Sequence, residues 1–327
     1  MKGANNSLVD NFGRTITYLR LSITDRCNLR CMYCMPSEGI ELMSHNEVLR
    51  FEEILKICRV LASMGINSVR VTGGEPLVRC GAVDFIRELK AVDGIKQVNM
   101  TTNGVLLGEH IEKLAAAGID NINVSLDTLD KEKFRYLTKG EGFENIFPAI
   151  EKALELGIGL KINCVPLKGF NEDEIGKFAN LAKNKTITVR FIELMPLGRA
   201  SSFTYLPADK VISLIEKSCG PLHQLTEKTG NGPAVYYTLP GFAGNIGIIS
   251  AVNRGFCKEC NRLRLSAAGI LKPCLAGNLS VNLRSLVRDN SSEEQITKVI
   301  LKLAAEKPAG YNFNTGNSNI EMFRIGG

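Results

Sequence analysis

The chain has 327 residues, enough for one large domain or for a large domain with a smaller one. Hydrophobic residues make up 44% and charged residues 23%, as in ordinary globular proteins, and no apolar run approaches the roughly 18 residues that a membrane span needs. The net charge of +6 comes without a dense basic block, so nucleic acid is not the expected partner. A phosphorylated substrate and a merely solvated basic surface both fit this charge. The polar N-terminus does not resemble a signal peptide, so we expect a cytoplasmic protein with no membrane partner.

Short β-rich segments alternate with helical segments through the first 220 residues. The six predicted strands are Thr15–Ile23, Ser68–Gly74, Val98–Gly104, Asn121–Asp127, Leu160–Leu167 and Ile187–Leu194. The clearest predicted helix, Asn46–Gly65, lies between the first two of them. Single helices between strands predict parallel βαβ units, which leaves open a doubly wound sheet and a partial TIM-type barrel. In either fold, functional residues gather at the carboxyl ends of the strands.

The strand–helix alternation ends near residue 220. The following segment is rich in glycine and proline and has no helical period. We therefore predict two regions, residues 1–220 and residues 221–327, of which the second is smaller and rich in loops.

The ten cysteines are numerous for a chain in a reducing compartment, where disulfides are a poor explanation. Clustered cysteines in such a compartment indicate metal ligands. Two groups are present: Cys27, Cys31 and Cys34, and then Cys257, Cys260 and Cys274. Isolated cysteines are usually small buried hydrophobic residues. That is the expectation for the other four, Cys58, Cys80, Cys164 and Cys219.

Each cysteine group is one ligand short of a closed tetrahedral zinc site. The first group has the spacing C-x3-C-x2-C, and its next candidate ligands, His45 and Cys58, are distant in sequence. Three cysteines can instead hold a four-iron cluster that leaves one iron open. The second group, C-x2-C-x13-C, is compatible with a second cluster or with a zinc site that takes a distant fourth ligand.

Basic residues occur inside otherwise apolar strands. A charge at such a position is costly unless it is paired, and in a barrel it can point inward and meet an anion. Arg262 and Arg264 are two residues apart, so an extended segment would project both to one face, where they suit a polyphosphate. The alternative is a set of charges that face solvent or a carboxylate. The basic residues within predicted strands are Arg20, Arg70, Lys161 and Arg190.

The first cysteine motif, with Tyr33 just before its last cysteine, resembles the signature of the radical S-adenosylmethionine (SAM) superfamily. The segment GGEP at Gly73–Pro76 strengthens this resemblance, because it lies at the end of the next strand. The resemblance implies a 4Fe-4S cluster whose open iron binds SAM, and reductive cleavage of SAM to methionine and a 5′-deoxyadenosyl radical. The implied α/β fold is an incomplete (β/α)6 TIM-type barrel, with the smaller C-terminal region covering its opening.

Further motifs resemble one branch of this superfamily. They are TTNG, NVSLDTL, RFIELMPLG, CNRLRL and the final Gly-Gly. Members of that branch convert GTP to 3′,8-cyclo-7,8-dihydro-GTP, an early step of molybdenum cofactor biosynthesis, by abstracting the ribose 3′ hydrogen and joining C3′ to C8. The resemblance implies two 4Fe-4S clusters held by the six grouped cysteines, SAM, GTP and an electron donor. It also implies delivery of the product to cyclic pyranopterin monophosphate synthase, by a monomer or a homodimer.

The resemblance also assigns roles to individual residues. The positions that match SAM contacts are Tyr33, Gly74, Ser125 and Met195. The positions that match GTP contacts are Arg20, Arg70, Thr101, Lys161, Arg262 and Arg264. Catalytic candidates are Arg190 and a tail that inserts toward the active site, Gly326-Gly327. Core packing at Met195 and a frayed tail are the plain alternatives.

Two other functions stay open at this point. One is a radical SAM enzyme that modifies a peptide and uses a similar auxiliary site, although it would need a docking module for which the N-terminus offers no room. The other is a non-enzymatic zinc-binding module for nucleic acid, which would be a colourless protein.

Overall fold

The computed structural model describes residues 7–226, 230, 232–252 and 256–311. Its strands are β1 (Tyr18–Ser22), β2 (Ser68–Thr72), β3 (Gln97–Thr102), β4 (Asn121–Ser125), β5 (Gly159–Cys164), β6 (Thr188–Ile192), β7 (His223–Gln224), β8 (Val235–Thr238), β9 (Asn245–Ile249), β10 (Arg262–Leu265), β11 (Ile270–Lys272) and β12 (Val281–Asn282). Its α-helices are α1 (Phe51–Ser63), α2 (Ala82–Lys90), α3 (Leu107–Ala116), α4 (Lys131–Thr138), α5 (Phe143–Glu155), α6 (Ile175–Asn180), α7 (Ala208–Cys219), α8 (Leu283–Arg288) and α9 (Glu293–Ala305). The predicted Gly326-Gly327 tail lies outside the described residues.

The twelve strands of the described residues belong to one sheet, in the order β12-β11-β10-β1-β2-β3-β4-β5-β6-β9-β8-β7. The six predicted strands are confirmed as its centre, where they pair in parallel and in chain order. The C-terminal region adds β9 in parallel to β6 and β10 in parallel to β1. This region contains more strands than the loop-rich one that was predicted, because most of them have only two to four residues, too few to give a period in the sequence.

The two faces of the sheet differ in polarity. Leu19, Leu21, Val69 and Val71 are fully buried on the face that packs against the helices. Side chains alternate between the faces of a strand, so the residues between them, such as Arg20 and Arg70, lie on the opposite face. We call this opposite side of the parallel strands the polar face.

The polar face is concave. Burial lowers the pKa of Arg190 on β6, the charge of Arg70 on β2 lowers it further and that of Tyr18 on β1 raises it, so these three side chains lie near one another. In a flat sheet, about 24 Å would separate β6 from β1, at the usual spacing of neighbouring strands. The parallel strands therefore curve around the polar face, as in the predicted partial barrel.

Helix α1 begins five residues later than predicted, at Phe51 rather than at Asn46. Two arginines of α8 donate hydrogen bonds to carbonyl groups of the segment before α1. Arg288 donates to the carbonyls of Asn46 and Val48, and Arg284 donates to that of Glu47. These contacts hold residues 46–48 outside the helix. The side chain of Glu53 then accepts from the Arg50 amide at 2.7 Å and closes the first turn.

The isolated cysteines differ in exposure. Cys58 and Cys164 are fully buried, as expected, and Cys219 is partly buried. Cys80 is exposed in the turn before α2, so the prediction of a buried packing role is wrong there.

The longest of the described helices have 13 residues, and none of them is both long and apolar enough to cross a membrane.

Candidate active site

The first cysteine group lies in the loop that follows β1, at the carboxyl end of the parallel strands. Backbone amides of Arg30 and Met32 donate to the carbonyls of Thr138 and Leu137, at 2.7 and 2.9 Å, and attach the loop to the end of α4. The Arg30 guanidinium also donates to the Cys27 carbonyl at 2.6 Å. The loop is thus held by its backbone, which leaves its three thiols free for ligation.

The three thiols lie close enough to influence one another. Burial, together with the charge of the neighbouring Cys27, raises the pKa of Cys34 to about 12. Burial also raises the pKa of Cys31 and of Cys27. Within the described ranges, no three His, Cys, Asp or Glu side chains converge on a single metal ion. The three thiols would suit an iron–sulfur cluster, whose irons would supply the positive charge that keeps them deprotonated.

Gly73 and Gly74 allow the end of β2 to pack against the backbone that leads into the first cysteine group. A Cβ atom on Gly74 would lie 2.3 Å from the Arg26 carbonyl oxygen, and one on Gly73 would lie 2.9 Å from that of Thr24. The Gly74 amide donates to the Thr24 carbonyl at 2.7 Å, and the Glu75 amide donates to that of Arg26 at 2.8 Å. No larger residue fits this approach.

Glu75 links the ends of β2 and β3. Its carboxylate accepts from the Thr102 hydroxyl at 2.8 Å and from the Asn103 amide at 2.7 Å. Burial raises the pKa of Glu75 to about 7. The Asn103 side chain in turn donates to Asn28 at 2.8 Å, beside Cys27. The TTNG segment thereby supports the first cysteine group.

Tyr33 donates its hydroxyl to the Asp127 carboxylate at 2.5 Å. Asp127 also accepts from the Val165 amide at 2.8 Å, and burial raises its pKa to about 6. Burial and the charge of Asp127 raise the pKa of Tyr33, so the phenol stays a hydrogen-bond donor. Asp127 fixes the orientation of the ring next to the cysteines.

The four residues predicted to contact SAM all lie at the carboxyl end of the strands. Tyr33 is in the cysteine loop after β1, and Gly74 follows β2. Ser125 is the last residue of β4, and Met195 follows β6. Met195 is partly buried next to Leu194 of a small apolar cluster, against which Tyr33 packs. The structure brings the four to one end of the polar face, and their contacts with SAM stay a prediction.

Six basic side chains predicted from the sequence share the polar face, and we call them the cationic face: Arg20, Arg70, Lys161, Arg190, Arg262 and Arg264. Register places Arg264, Arg20 and Arg70 side by side on neighbouring strands. Arg70 donates to the Tyr18 hydroxyl at 2.7 Å, and Lys161 donates to that of Tyr236 at 3.3 Å. Nε and Nη2 of Arg190 both donate to the side-chain oxygen Oδ1 of Asn163, at 2.8 and 2.6 Å. The predicted GTP contacts are therefore grouped on one surface with Arg190.

The cationic face is electrostatically strained. Burial, followed by the charge of Arg264, lowers the pKa of Arg20 to about 9. Burial lowers the pKa of both Arg190 and Arg264 to about 10, with Arg70 and Arg262 as the nearest like charges. Among the described residues, no carboxylate forms an ion pair with Arg70, Lys161, Arg190, Arg262 or Arg264. Within the described part of the chain, the charges of these five residues are therefore not offset by a carboxylate.

Among the described residues, four buried polar atoms on the polar face have no hydrogen-bond partner. They are Thr101 Oγ1, Asn123 Oδ1, Arg262 Nε and Arg264 Nη1. Buried polar atoms are usually paired, and an unpaired one is expensive, so four on one surface indicate a ligand site. Three of the four belong to residues that were predicted to contact GTP.

The second cysteine group gathers around a buried lysine. Lys307 donates to the Arg262 carbonyl at 2.9 Å and to the Pro273 carbonyl, just before Cys274. Burial alone would raise the pKa of Cys260, but the charges of Lys307 and Arg262 outweigh it and lower that pKa. Three free thiols beside cations suit a metal centre that needs thiolates.

Arg14 joins the second cysteine group to the chain that follows α9. Its guanidinium donates to the carbonyls of Cys257 and Pro308, both at 2.6 Å, and to that of Ala309 at 3.1 Å. Asp10 holds the same guanidinium at 2.5 Å. This buried pair fixes one side of the group to the N-terminal segment.

The two cysteine groups lie at opposite ends of the polar face. The first follows the carboxyl end of β1. The second precedes the amino end of β10, which is parallel to β1 with Tyr18 opposite Arg262. Cys274 reaches the same end, because β11 runs antiparallel to β10. The cationic face therefore spans the space between the groups.

Sequence reasoning missed several residues of the site. Asp127 and Glu75 lie within motifs that were recognised, NVSLDTL and GGEP, so those motifs could have indicated them. Tyr236, Arg14 and Lys307 had no such signal, because each reaches the site only through pairing of distant segments.

Comparisons with known proteins agree with this geometry. The Radical SAM superfamily matches residues 21–182, and the family described as Molybdenum Cofactor Synthesis C matches residues 187–313. The sheet and the first cysteine group thus define a radical SAM protein. A GTP 3′,8-cyclase of Pelotomaculum thermopropionicum is 42% identical over 323 residues, covering 97% of this chain and 99% of that protein. One of Thermodesulfovibrio yellowstonii is 44% identical over 310 residues, covering 94% and 96%.

The chain belongs to the GTP 3′,8-cyclase family of radical SAM enzymes. Membership confirms the predicted enzyme class, with a 4Fe-4S cluster and SAM as cofactors, and excludes the non-enzymatic zinc module.

Solved structures support the fold. Streptococcus suis SuiB bound to S-adenosylmethionine has a TM-score of 0.59 at 17% identity, covering 94% of this chain and 76% of that one. SuiB bound to its precursor peptide SuiA has a TM-score of 0.58 at 15% identity, covering 95% and 70%. At this identity the likeness concerns the fold alone, so it does not favour a peptide substrate for this chain.

Proposed function

We propose that this chain converts GTP to 3′,8-cyclo-7,8-dihydro-GTP in an early step of molybdenum cofactor biosynthesis. The observation that carries the proposal is the cationic face, which spans two three-cysteine groups and has no carboxylate partner for five of its members among the described residues. The names of the full-length relatives, at 42 and 44% identity, support the same substrate.

Two clusters and SAM belong to the proposal. Cys27, Cys31 and Cys34 would hold the cluster that binds SAM, and the second cysteine group would hold an auxiliary cluster. When bound, these groups supply a hydrogen-abstracting radical at one end of the polar face and an open iron for the guanine base at the other. Tyr33, Gly74, Ser125 and Met195 are the proposed SAM contacts.

The protein's own residues would bind and orient GTP. The cationic face offers guanidinium donors to the triphosphate, and the unpaired Nε of Arg262 and Nη1 of Arg264 are available for it. A buried site also excludes water and stray hydrogen donors from a radical reaction. Binding on one surface between the two cysteine groups would hold the ribose in register with SAM.

The wider setting is also proposed. The enzyme would act in the cytoplasm, take electrons from an external donor and deliver its product to cyclic pyranopterin monophosphate synthase. Both a monomer and a homodimer are compatible with this function.

Anaerobic reconstitution followed by incubation with SAM, a reductant and GTP tests the proposal. We expect 5′-deoxyadenosine and a cyclised nucleotide to form with GTP and not with ATP. Equal formation with ATP, with a peptide or without substrate would contradict the substrate assignment. Iron analysis tests the cofactors separately. About eight irons per chain indicate two clusters, whereas about four would contradict the proposed auxiliary cluster.

A further inference from the structure

Asn123 is a buried residue of the polar face that matches no predicted contact with GTP or SAM. It lies on β4 between Thr101 of β3 and Lys161 of β5, which are its register partners on the polar face. Its residue exposure is 4%, and its Oδ1 has no hydrogen-bond partner. Thr101 Oγ1, next to it, is unpaired as well. Two adjacent unpaired polar atoms form a small neutral subsite within the cationic face.

Other asparagines of the same face satisfy their carbonyl oxygens within the protein. Asn99 Oδ1 accepts from the Asn121 amide at 2.9 Å. Asn163 Oδ1 accepts from Arg190 at 2.6 and 2.8 Å. Asn123 differs from them, although it is two residues from Asn121 on the same strand. An acceptor left buried and unpaired is destabilising, and a bound hydrogen-bond donor would remove that cost.

The row of Thr101, Asn123 and Lys161 lies midway along the polar face. Arg20 and Arg70 align with Asn99 and Asn121, one step toward the amino ends of the strands. Ser125 aligns with Asn163, one step toward the first cysteine group. In a nucleotide that extends between the two cysteine groups, the middle part would therefore lie beside Asn123.

The hydrogen-bonding groups of Thr101 and Asn123 suit one particular part of a nucleotide. A carbonyl oxygen repels phosphate oxygens, so Asn123 Oδ1 does not suit the triphosphate, which the arginines suit. It accepts a hydrogen bond from a neutral donor, and the hydroxyl of Thr101 can donate or accept. A ribose, with its 2′ and 3′ hydroxyl groups, offers both functions side by side.

We propose that Asn123 is a positioning residue for the ribose of the substrate, with its Oδ1 accepting a hydrogen bond from a ribose hydroxyl. This inference rests on the proposed GTP cyclase function. The contact holds the sugar at the middle row, so that its 3′ hydrogen faces the SAM end while the base lies toward the second cysteine group. Loss of the contact weakens ribose recognition and lets the sugar turn away from the radical.

A binding cycle on the reconstituted holoenzyme tests this inference. The affinities of wild type and Asn123→Ala are measured for GTP, 2′-deoxy-GTP and 3′-deoxy-GTP under anaerobic conditions. We expect Asn123→Ala to weaken GTP binding about tenfold. The deoxynucleotide that lacks the contacted hydroxyl should bind wild type and Asn123→Ala with affinities that agree within about twofold, because it makes the hydrogen bond with neither protein.

Two further variants separate a contact from a structural effect. Asn123→Asp keeps an acceptor of the same shape and is expected to retain the preference for the ribose hydroxyl, even if its charge changes the affinity for all three nucleotides equally. Asn121→Ala is the matched control, because the Asn121 amide is bonded to Asn99, and it should show no coupling to either hydroxyl. In turnover, Asn123→Ala should also raise the amount of 5′-deoxyadenosine formed per cyclised product.

A uniform loss of affinity for all three nucleotides in Asn123→Ala, with normal iron content, would overturn the inference while leaving GTP as the substrate. If Asn123→Ala fails to load iron, the test passes to Asn123→Asp. An Asn123→Asp protein that no longer prefers GTP to the deoxynucleotides would contradict the proposed role of Asn123. Failure of wild type to bind GTP would overturn the proposed function and this inference together.

Discussion

Arg20, Arg190 and Arg264 stay protonated at neutral pH, although burial and neighbouring positive charges lower their pKa. Values of about 9 for Arg20 and about 10 for Arg190 and Arg264 are well above 7. The free protein therefore holds several like charges in a concave surface. Any polyanion that binds there relieves this repulsion, so ligand binding and protein stability are linked.

Arg264 offers the sharpest test of this surface, because its Nη1 is buried and unpaired. We expect Arg264→Gln to weaken GTP binding by roughly 10- to 100-fold, the value of a hydrogen bond to a charged group. Calorimetry on the reconstituted enzyme measures it. Arg135→Gln is the control, because Arg135 is exposed on α4 and pairs with Glu141. Equal affinities of the two variants would contradict the role of Arg264.

The residues of the site were predictable where the sequence breaks a local rule. Arg20, Arg70 and Lys161 are charges inside apolar strands, and the cysteines have a distinctive spacing. Asn123 breaks no such rule, because a single asparagine in a short strand has no signature of its own. Tyr236 lies in a segment that had no strand pattern, so its contact with Lys161 emerged only from the pairing of β8 with β9.

At the scale of elements, the strand ends determine where each motif lies. The end of β2 packs directly on the backbone before Cys27, and the end of β3 supports Cys27 through Asn103. The motifs GGEP and TTNG therefore support the cysteine loop, and they also lie at the end of the sheet where a ligand of that loop would bind. A change in one strand end should appear as a loss of metal.

Gly74→Ala tests this coupling. Its Cβ would lie 2.3 Å from the Arg26 carbonyl oxygen, so the segment before Cys27 must shift. We expect the variant to lose the first cluster, seen as reduced iron and reduced visible absorbance, while the second is retained. Gly108→Ala is the control: that glycine is exposed in α3, and its Cβ would meet only Ala149, at 3.8 Å. Full iron loading of Gly74→Ala would contradict the prediction.

Lys307 has the equivalent role for the second cysteine group. Lys307→Met leaves the carbonyls of Arg262 and Pro273 without their donor and removes a positive charge beside Cys260. We expect iron to fall from about eight to about four per chain, with SAM binding preserved. Lys302→Met, an exposed change on α9, should keep both clusters. A variant of Lys307 with unchanged iron would show that the lysine is not needed for the site.

Element bounds were predictable where a period was long enough to read. The six central strands were found because each precedes a helix, whereas α1 was extended too far toward Asn46. Its true start depends on Arg284 and Arg288 from a helix more than 230 residues later, and such a contact has no local signal. Most of the strands β7 to β12 were missed for another reason: with two to four residues they are too short to show a period in the sequence.

At the scale of the whole molecule, an ion pair between a buried glutamate and a partly exposed arginine connects the C-terminal region to the barrel. Glu53 of α1 accepts from Arg288 of α8 at 2.8 and 3.0 Å. Hydrogen bonds from Arg288 lower the pKa of Glu53 to about 2, and the Arg50 amide adds to this effect. The connection is therefore strongest when Glu53 is ionised.

Glu53→Gln should lower the free energy of unfolding by about 2 kcal/mol at pH 7, because it leaves Arg288 without its carboxylate. Denaturant titration measures it. Asp84→Asn, in the exposed pair with Arg87, should cost less than about 0.5 kcal/mol. The stabilisation by Glu53 is complete above its unfolded pKa of 4.5 and disappears as the pH falls toward 2, so the difference between wild type and Glu53→Gln should shrink over that range. A constant difference would exclude Glu53 ionisation as the cause.

The position of β1 has a consequence for synthesis of the chain. Thr17, just before β1, is bonded to Asn261, 244 residues later, just before β10. One edge of this early strand therefore stays unpaired until most of the polypeptide has left the ribosome. An open strand edge is a template for association with other chains. Nascent or truncated chains that end before β10 are thus expected to aggregate unless a chaperone covers that edge.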